Sequence, residues 1–96
     1  MLNEKDARAV YAAEIKEYGW ETVRSLLREC ARIIGERLRA GKTPLQAAGA
    51  AIRRLTEQDS GFPPELVHSL FIRRGGNLSV LRAGDAAEEI YEHKNS

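Results

Sequence analysis

The side chains able to do chemistry on their own are few and scattered in this 96-residue chain. Cys30, His68 and His93 are its only thiol and imidazole groups, and no two stand at CxxC or HxxxH spacing, so neither metal nor cofactor is expected. Cys30 falls on an apolar stripe, where a thiol packs and does not react. Glu89 and His93 share a helix face at four-residue spacing and read as a surface pair. No GxGxxG, GxxxxGK or GxSxG is present, and the carboxylates do not cluster in a way that would shift a pKa for acid–base work. The expectation is a protein that is not an enzyme. Arginine is what the chain has in abundance. On a helical projection Arg24, Arg28, Arg32 and Arg39 lie within about 80° of one another, with Gly35 as a gap among them. Arg53, Arg54, Arg73 and Arg74 follow in pairs. Such guanidinium groups suit carboxylate or phosphate oxygens. These eight are therefore the candidate partner-binding residues, docking on a protein or nucleoprotein complex, with direct contact to DNA phosphates as the alternative. The competing account is a solvated face in which Glu36 pairs with Arg32 and Arg39, each pair adding only about 0.2–0.5 kcal/mol.

The net charge of +1 hides a strong segregation along the chain, with residues 23–56 and 73–82 basic and the intervening and flanking stretches acidic. Nearly a third of the hydrophobic residues are alanine, which leaves a modest core for a single domain spanning 1–96, and self-association would help it. The single cysteine makes no internal disulfide and the polar start "MLNEKDARAV" has no apolar signal region, so a cytoplasmic location is expected. The longest uncharged run, Thr43 to Ile52, is far short of the roughly 18 apolar residues a membrane span requires.

These candidate residues must be placed by helices. Asn3 can cap a first helix running to about Tyr18, with Ala7, Val10, Tyr11, Ile15 and Tyr18 on one side and Gly19 ending it. A second, from Trp20 to about Ala40, carries Val23, Leu26, Leu27, Cys30, Ile34 and Leu38 on one stripe and closes at Gly41, so the two should form an antiparallel hairpin. Arg37 points to the apolar side of that helix and needs a partner, with Glu4 or Asp6 as the counter-ion; it reads as a side chain snorkelling at the core edge, with a charge pair across a subunit interface as the alternative. Glu14 is a similar intruder on the first helix. "TPLQ" reads as a capping box with Pro44 at the first helical position, opening a third helix to about Glu57. Leu45, Ala48, Ile52 and Leu55 face inward there, and "AAGAA" admits a neighbouring backbone. After "DSGFPP", a fourth helix fits Pro64 to Arg74 with Leu66, Val67, Leu70 and Phe71 in the core, and Arg73 and Arg74 at its negative end. Asp85 and Glu88 cap a last helix to about Lys94.

Between the fourth and last helices lies "RRGGNLSVLRAG". Leu78, Val80 and Leu81 form a short run that reads as extended; an earlier start of the last helix, capped by Asn77, is the alternative. A lone strand leaves its backbone groups unpaired, and pairing with its own copy across a two-fold axis relieves this. Residues 78, 80 and 81 are therefore the expected dimerisation residues of a homodimer. The amphipathic helix, Gly75 and Gly76, the short strand, Arg82, Gly84 and a helix with Ile90 and Tyr91 together resemble the dimerisation segment of Mor-type transcription activators of Mu-like phages, over about residues 62–95. The family's strand carries a Tyr-Ile-Pro stretch where this chain has Ser79, Val80, Leu81 and Arg82, and its helix-turn-helix has no counterpart here. The resemblance thus implies a phage or mobile-element regulator or inhibitor and a dimer strand over 78–82, but no DNA-reading residues. The fold expected is an all-α bundle of four to five helices, with at most that one strand.

Overall fold

The structure, a computed structural model, describes residues 4–77 and 79–82. Asn3, Leu78 and everything after Arg82, including the last capped helix and the Glu89–His93 pair, lie outside the described residues. Helices α1 (Glu4–Val10) and α2 (Ala12–Tyr18) are two halves of one bent helix. Its backbone ladder continues across the bend, with Tyr11 N–H donating to the Ala7 carbonyl and Ile15 N–H to the Tyr11 carbonyl, both at 2.9 Å. The bend falls at Tyr11, the largest fully buried side chain among the described residues. The core stripe runs Ala7, Tyr11, Glu14 and Tyr18, the spacing of one helix face, so Val10 drops to the edge and is exposed.

Gly19 links α2 to α3 (Trp20–Arg39), and the chain folds back far enough for Arg8 to sit 4.5 Å from the centre of the Trp20 ring. Val23, Leu26, Leu27, Cys30, Ile33 and Ile34 are buried along α3. Its end is a Schellman motif: Lys42 N–H reaches the Arg37 carbonyl and Gly41 N–H that of Leu38, each at 3.0 Å. Gly41 takes φ 89°, a conformation that costs a residue with a Cβ dearly. Leu38 belongs to this last turn, past the reach of the core, and is exposed.

Helix α4 (Pro44–Leu55) opens with the expected capping box, in which Gln46 N–H donates to Thr43 Oγ1 (3.2 Å) and Thr43 N–H to Gln46 Oε1 (3.0 Å). The face it buries is the expected one at Ala48 and Leu55 but not at Leu45. Ala47, Ala48, Ala51 and Leu55 go inward, Ile52 is half-buried, and Leu45 is 58% exposed. Small side chains let the α4 backbone approach α3 closely, and this places Leu45 and Ile52 on the flanks. Gly49 faces open space and takes no part in the approach.

A 3-10 turn (Gln58–Ser60) leads to α5 (Pro64–Val67), which continues as a π-turn (His68–Ile72). Leu66, Val67, Leu70 and Phe71 are all fully buried, as the sequence requires. In the π-turn Arg73 N–H donates to the His68 carbonyl and Arg74 N–H to that of Phe71. The Leu70 carbonyl accepts the Ser79 hydroxyl instead (2.8 Å). The described residues contain no strand. Residues 77 and 79–82 are helical, with Val80 N–H donating to the Gly76 carbonyl at 3.0 Å. The extended reading of 78–82 is thereby corrected. Val80 is fully buried in the protomer's own core, its carbonyl 3.5 Å from the Cys30 thiol, and Leu81 packs against that core. A strand paired across a two-fold axis is not available from residues 79–82, and the apolar Val80 and Leu81 are explained by helical burial.

The α3–α4 packing makes a stability prediction. Ala51→Leu overpacks a fully buried contact and should cost about 1–3 kcal/mol, whereas Leu45→Ser on the exposed flank should stay within about 0.5 kcal/mol of the parent. Urea denaturation midpoints distinguish the two.

Candidate functional site

The eight candidate arginines separate into three places. Along α3, the expected ridge is largely neutralised by its own helix. Arg24 pairs with Glu21 (3.3 Å) and is mostly covered, its Nε having no hydrogen-bond partner among the described residues. Arg28 is exposed and takes part in a further interaction. Arg32 donates through Nε to both Glu29 oxygens (3.0 and 3.1 Å) and through Nη1 to Glu36 (2.6 Å). That guanidinium holds the Glu29 carboxyl below its ordinary value. The gap at Gly35 is filled: a Cβ built there would meet the Arg39 guanidinium at 3.4 Å. Arg39 is one turn further along the same helix, and its side chain reclines over the glycine.

The second place is a cleft between α3 and α4 of about 220 Å³, lined by Arg32, Ile33, Glu36, Arg37, Ala50, Arg53, Arg54 and Glu57. Arg37 is exposed here and not turned into the core, so it has no need of the buried counter-ion sought in Glu4 or Asp6. Across the cleft Arg54 donates to Glu57 (2.6 Å) and Asp59 (3.1 Å). Arg37 and Arg53 form no ion pair among the described residues. The cleft therefore joins two satisfied guanidinium groups to two unsatisfied ones over an apolar floor of Ile33 and Ala50. The exposure of Arg37 fits the core-edge reading, and the cleft it lines depends on α4, which periodicity along α3 does not show.

The third place is structural. Glu14 is 5% exposed and accepts from Arg74 (2.6 and 3.1 Å) and from the Ser69 hydroxyl (2.8 Å). Arg74 also lies 5.4 Å from the centre of the Tyr11 ring. Burial raises the pKa of the Tyr11 hydroxyl, and the Arg74 charge opposes that rise. Arg74 thus ties the π-turn to α2 and is not part of an open binding face. Arg73 lies apart from the cleft, beside a shallow depression lined by Glu17, Tyr18, Pro64, Glu65, His68 and Ser69.

Cys30 is fully buried, and its thiol is pushed up from 9.0 to about 12 by burial. Among the described residues no three histidine, cysteine or carboxylate groups are placed to hold a metal, and no helix is long and apolar enough to cross a membrane. No protein-family model matches the chain, and no curated protein or solved structure was found similar to it.

Two predictions follow from the buried groups. Arg74→Ala strands the Glu14 carboxylate in the interior and should cost about 3–5 kcal/mol; Glu14→Ala, which frees a partly exposed arginine, should cost less, with coupling visible in a double-mutant cycle by urea denaturation. Because the Cys30 thiol ionises at higher pH in the folded state than in the unfolded one, its contribution to stability is complete below pH 9.0 and is lost as pH rises toward about 12. Native protein at pH 8 should resist thiol alkylation until denaturant is added, as mass spectrometry will read.

Proposed function

We propose that this chain is a non-enzymatic docking module, a small regulator or inhibitor that works by occupying an acidic surface on a protein or protein-containing complex. The observation that carries this reading is the α3–α4 cleft, where Arg37 and Arg53 are exposed beside Arg32 and Arg54, whose charges are already met by carboxylates. Arginine beside apolar surface is the composition that protein interfaces favour. A small regulator in the cytoplasm, of phage or mobile-element origin, is the setting such a module suits. The proposal does not depend on a dimer, since Val80 and Leu81, two of the expected dimerisation residues, pack against the chain's own core.

Direct DNA binding through phosphates is the less supported reading. Phosphate-backbone binding scales with the number of free cations a surface presents. On α3, Arg24 and Arg32 hold glutamates and Arg39 lies along its own helix, so the ridge offers few.

Fluorescence anisotropy separates the two. A labelled polyglutamate should bind and weaken with salt, while a random-sequence duplex at about 50 mM salt should show no saturable binding up to tens of micromolar. Micromolar binding of the duplex with a log–log salt slope of about −3 or steeper, and none of polyglutamate, would overturn the proposal.

A further inference from the structure

The cleft between α3 and α4 has features that narrow the kind of partner it accepts. At about 220 Å³ it is smaller than the roughly 300–1,000 Å³ of sites that enclose a whole small-molecule ligand. It is sized for side chains presented by a larger molecule. Its charges are uneven: Arg32 is met by Glu29 and Glu36, and Arg54 by Glu57 and Asp59, while Arg37 on α3 and Arg53 on α4 have no carboxylate among the described residues. Glu36 and Glu57 line the same cleft, so a uniformly charged phosphate backbone would meet repulsion there along with attraction. Discrete carboxylates, each placed on one free guanidinium, avoid it. Between the two helices the floor is apolar, formed by Ile33 and Ala50.

Resting on the docking reading above, we infer that the α3–α4 cleft receives an acidic protein segment in which two carboxylates flank an apolar side chain, one carboxylate on Arg37, the other on Arg53, and the apolar group over Ile33 and Ala50. Each free arginine supplies a fork of donors that matches one carboxylate in two-point fashion. The internally paired Arg32 and Arg54 border the seats without competing for the incoming groups.

The test uses a fluorescein-labelled peptide with a Glu-Leu-Glu core in Gly-Ser flanks, and its Gln-Leu-Gln counterpart, titrated with the intact protein at about 50 mM salt. Saturable binding of the glutamate peptide is expected, with a loss of about ten-fold or more on Arg37→Ala combined with Arg53→Ala, and little change on Arg24→Ala combined with Arg28→Ala. Both cleft arginines are exposed, so the double variant should keep the parent's helical circular dichroism. The glutamine peptide should bind at least about ten-fold more weakly. Binding lost in the Arg24 and Arg28 variant but kept in the cleft variant overturns this inference and leaves the docking function standing, on the outer face of α3. Equal binding of the two peptides, or none up to millimolar concentration, also overturns it. Tight duplex binding with no peptide binding overturns both.

Discussion

The close approach of α4 to α3 is the constraint on which the rest of the molecule depends. Ala47, Ala48 and Ala51 are fully buried on α4, which packs on α3, whose own buried stripe is Val23, Leu26, Leu27, Cys30, Ile33 and Ile34. With so small a side chain at the contact, the helix axes come together and long residues are displaced to either flank. Leu45 goes to one edge, while Arg53 and Arg54 meet Arg32 and Arg37 along the other. The same packing that stabilises a domain of few large apolar residues therefore makes the cationic cleft.

A second tie joins α2 to the π-turn. Glu14 reaches across sixty residues of sequence to Arg74 and accepts the Ser69 hydroxyl as well. Burying a carboxylate is costly, and a satisfied pair of this kind does more to fix an arrangement than to add stability. Here it fixes the π-turn against α2, and Ser79 adds the hydrogen bond that the turn's Leu70 carbonyl needs. The helical turn at 79–82 then delivers Val80 into the core beside Cys30.

How much of this was legible in the sequence follows the range of each interaction. The Thr43 capping box, the Gly41 terminator and the apolar face of α5 depend on residues within a turn or two of each other, and all are where their spacing places them. The all-helical class is legible for the same reason. Glu14 stood out as a polar intruder, yet its partner Arg74 is remote in sequence and periodicity carries no information about it. On α4, Ala48 and Leu55 are inward as expected and Ile52 packs at the core's edge, but Leu45 is exposed and Ala47 and Ala51 take the remaining buried positions, because close helix packing favours alanine. Residues 78–82 read as extended, with a helix capped by Asn77 as the alternative, because Leu78, Val80 and Leu81 are too few to separate alternation from a helical turn. As for the candidate site, the abundance of arginine was plain, but which arginines were already paired was not: Arg24 and Arg32 on the expected ridge are met by glutamates, and Arg37, set aside as a core-edge residue, lines the cleft.

That division between satisfied and unsatisfied arginines is the central claim, and it concerns the free protein before any partner arrives. Arginine side-chain nitrogen NMR reads it directly. The account predicts restricted guanidinium rotation and slowed proton exchange at Arg32 and Arg54, with rapid rotation and exchange at Arg37 and Arg53. Equal immobilisation of all four would contradict it, because the cleft would then hold no cation free to receive an acidic partner.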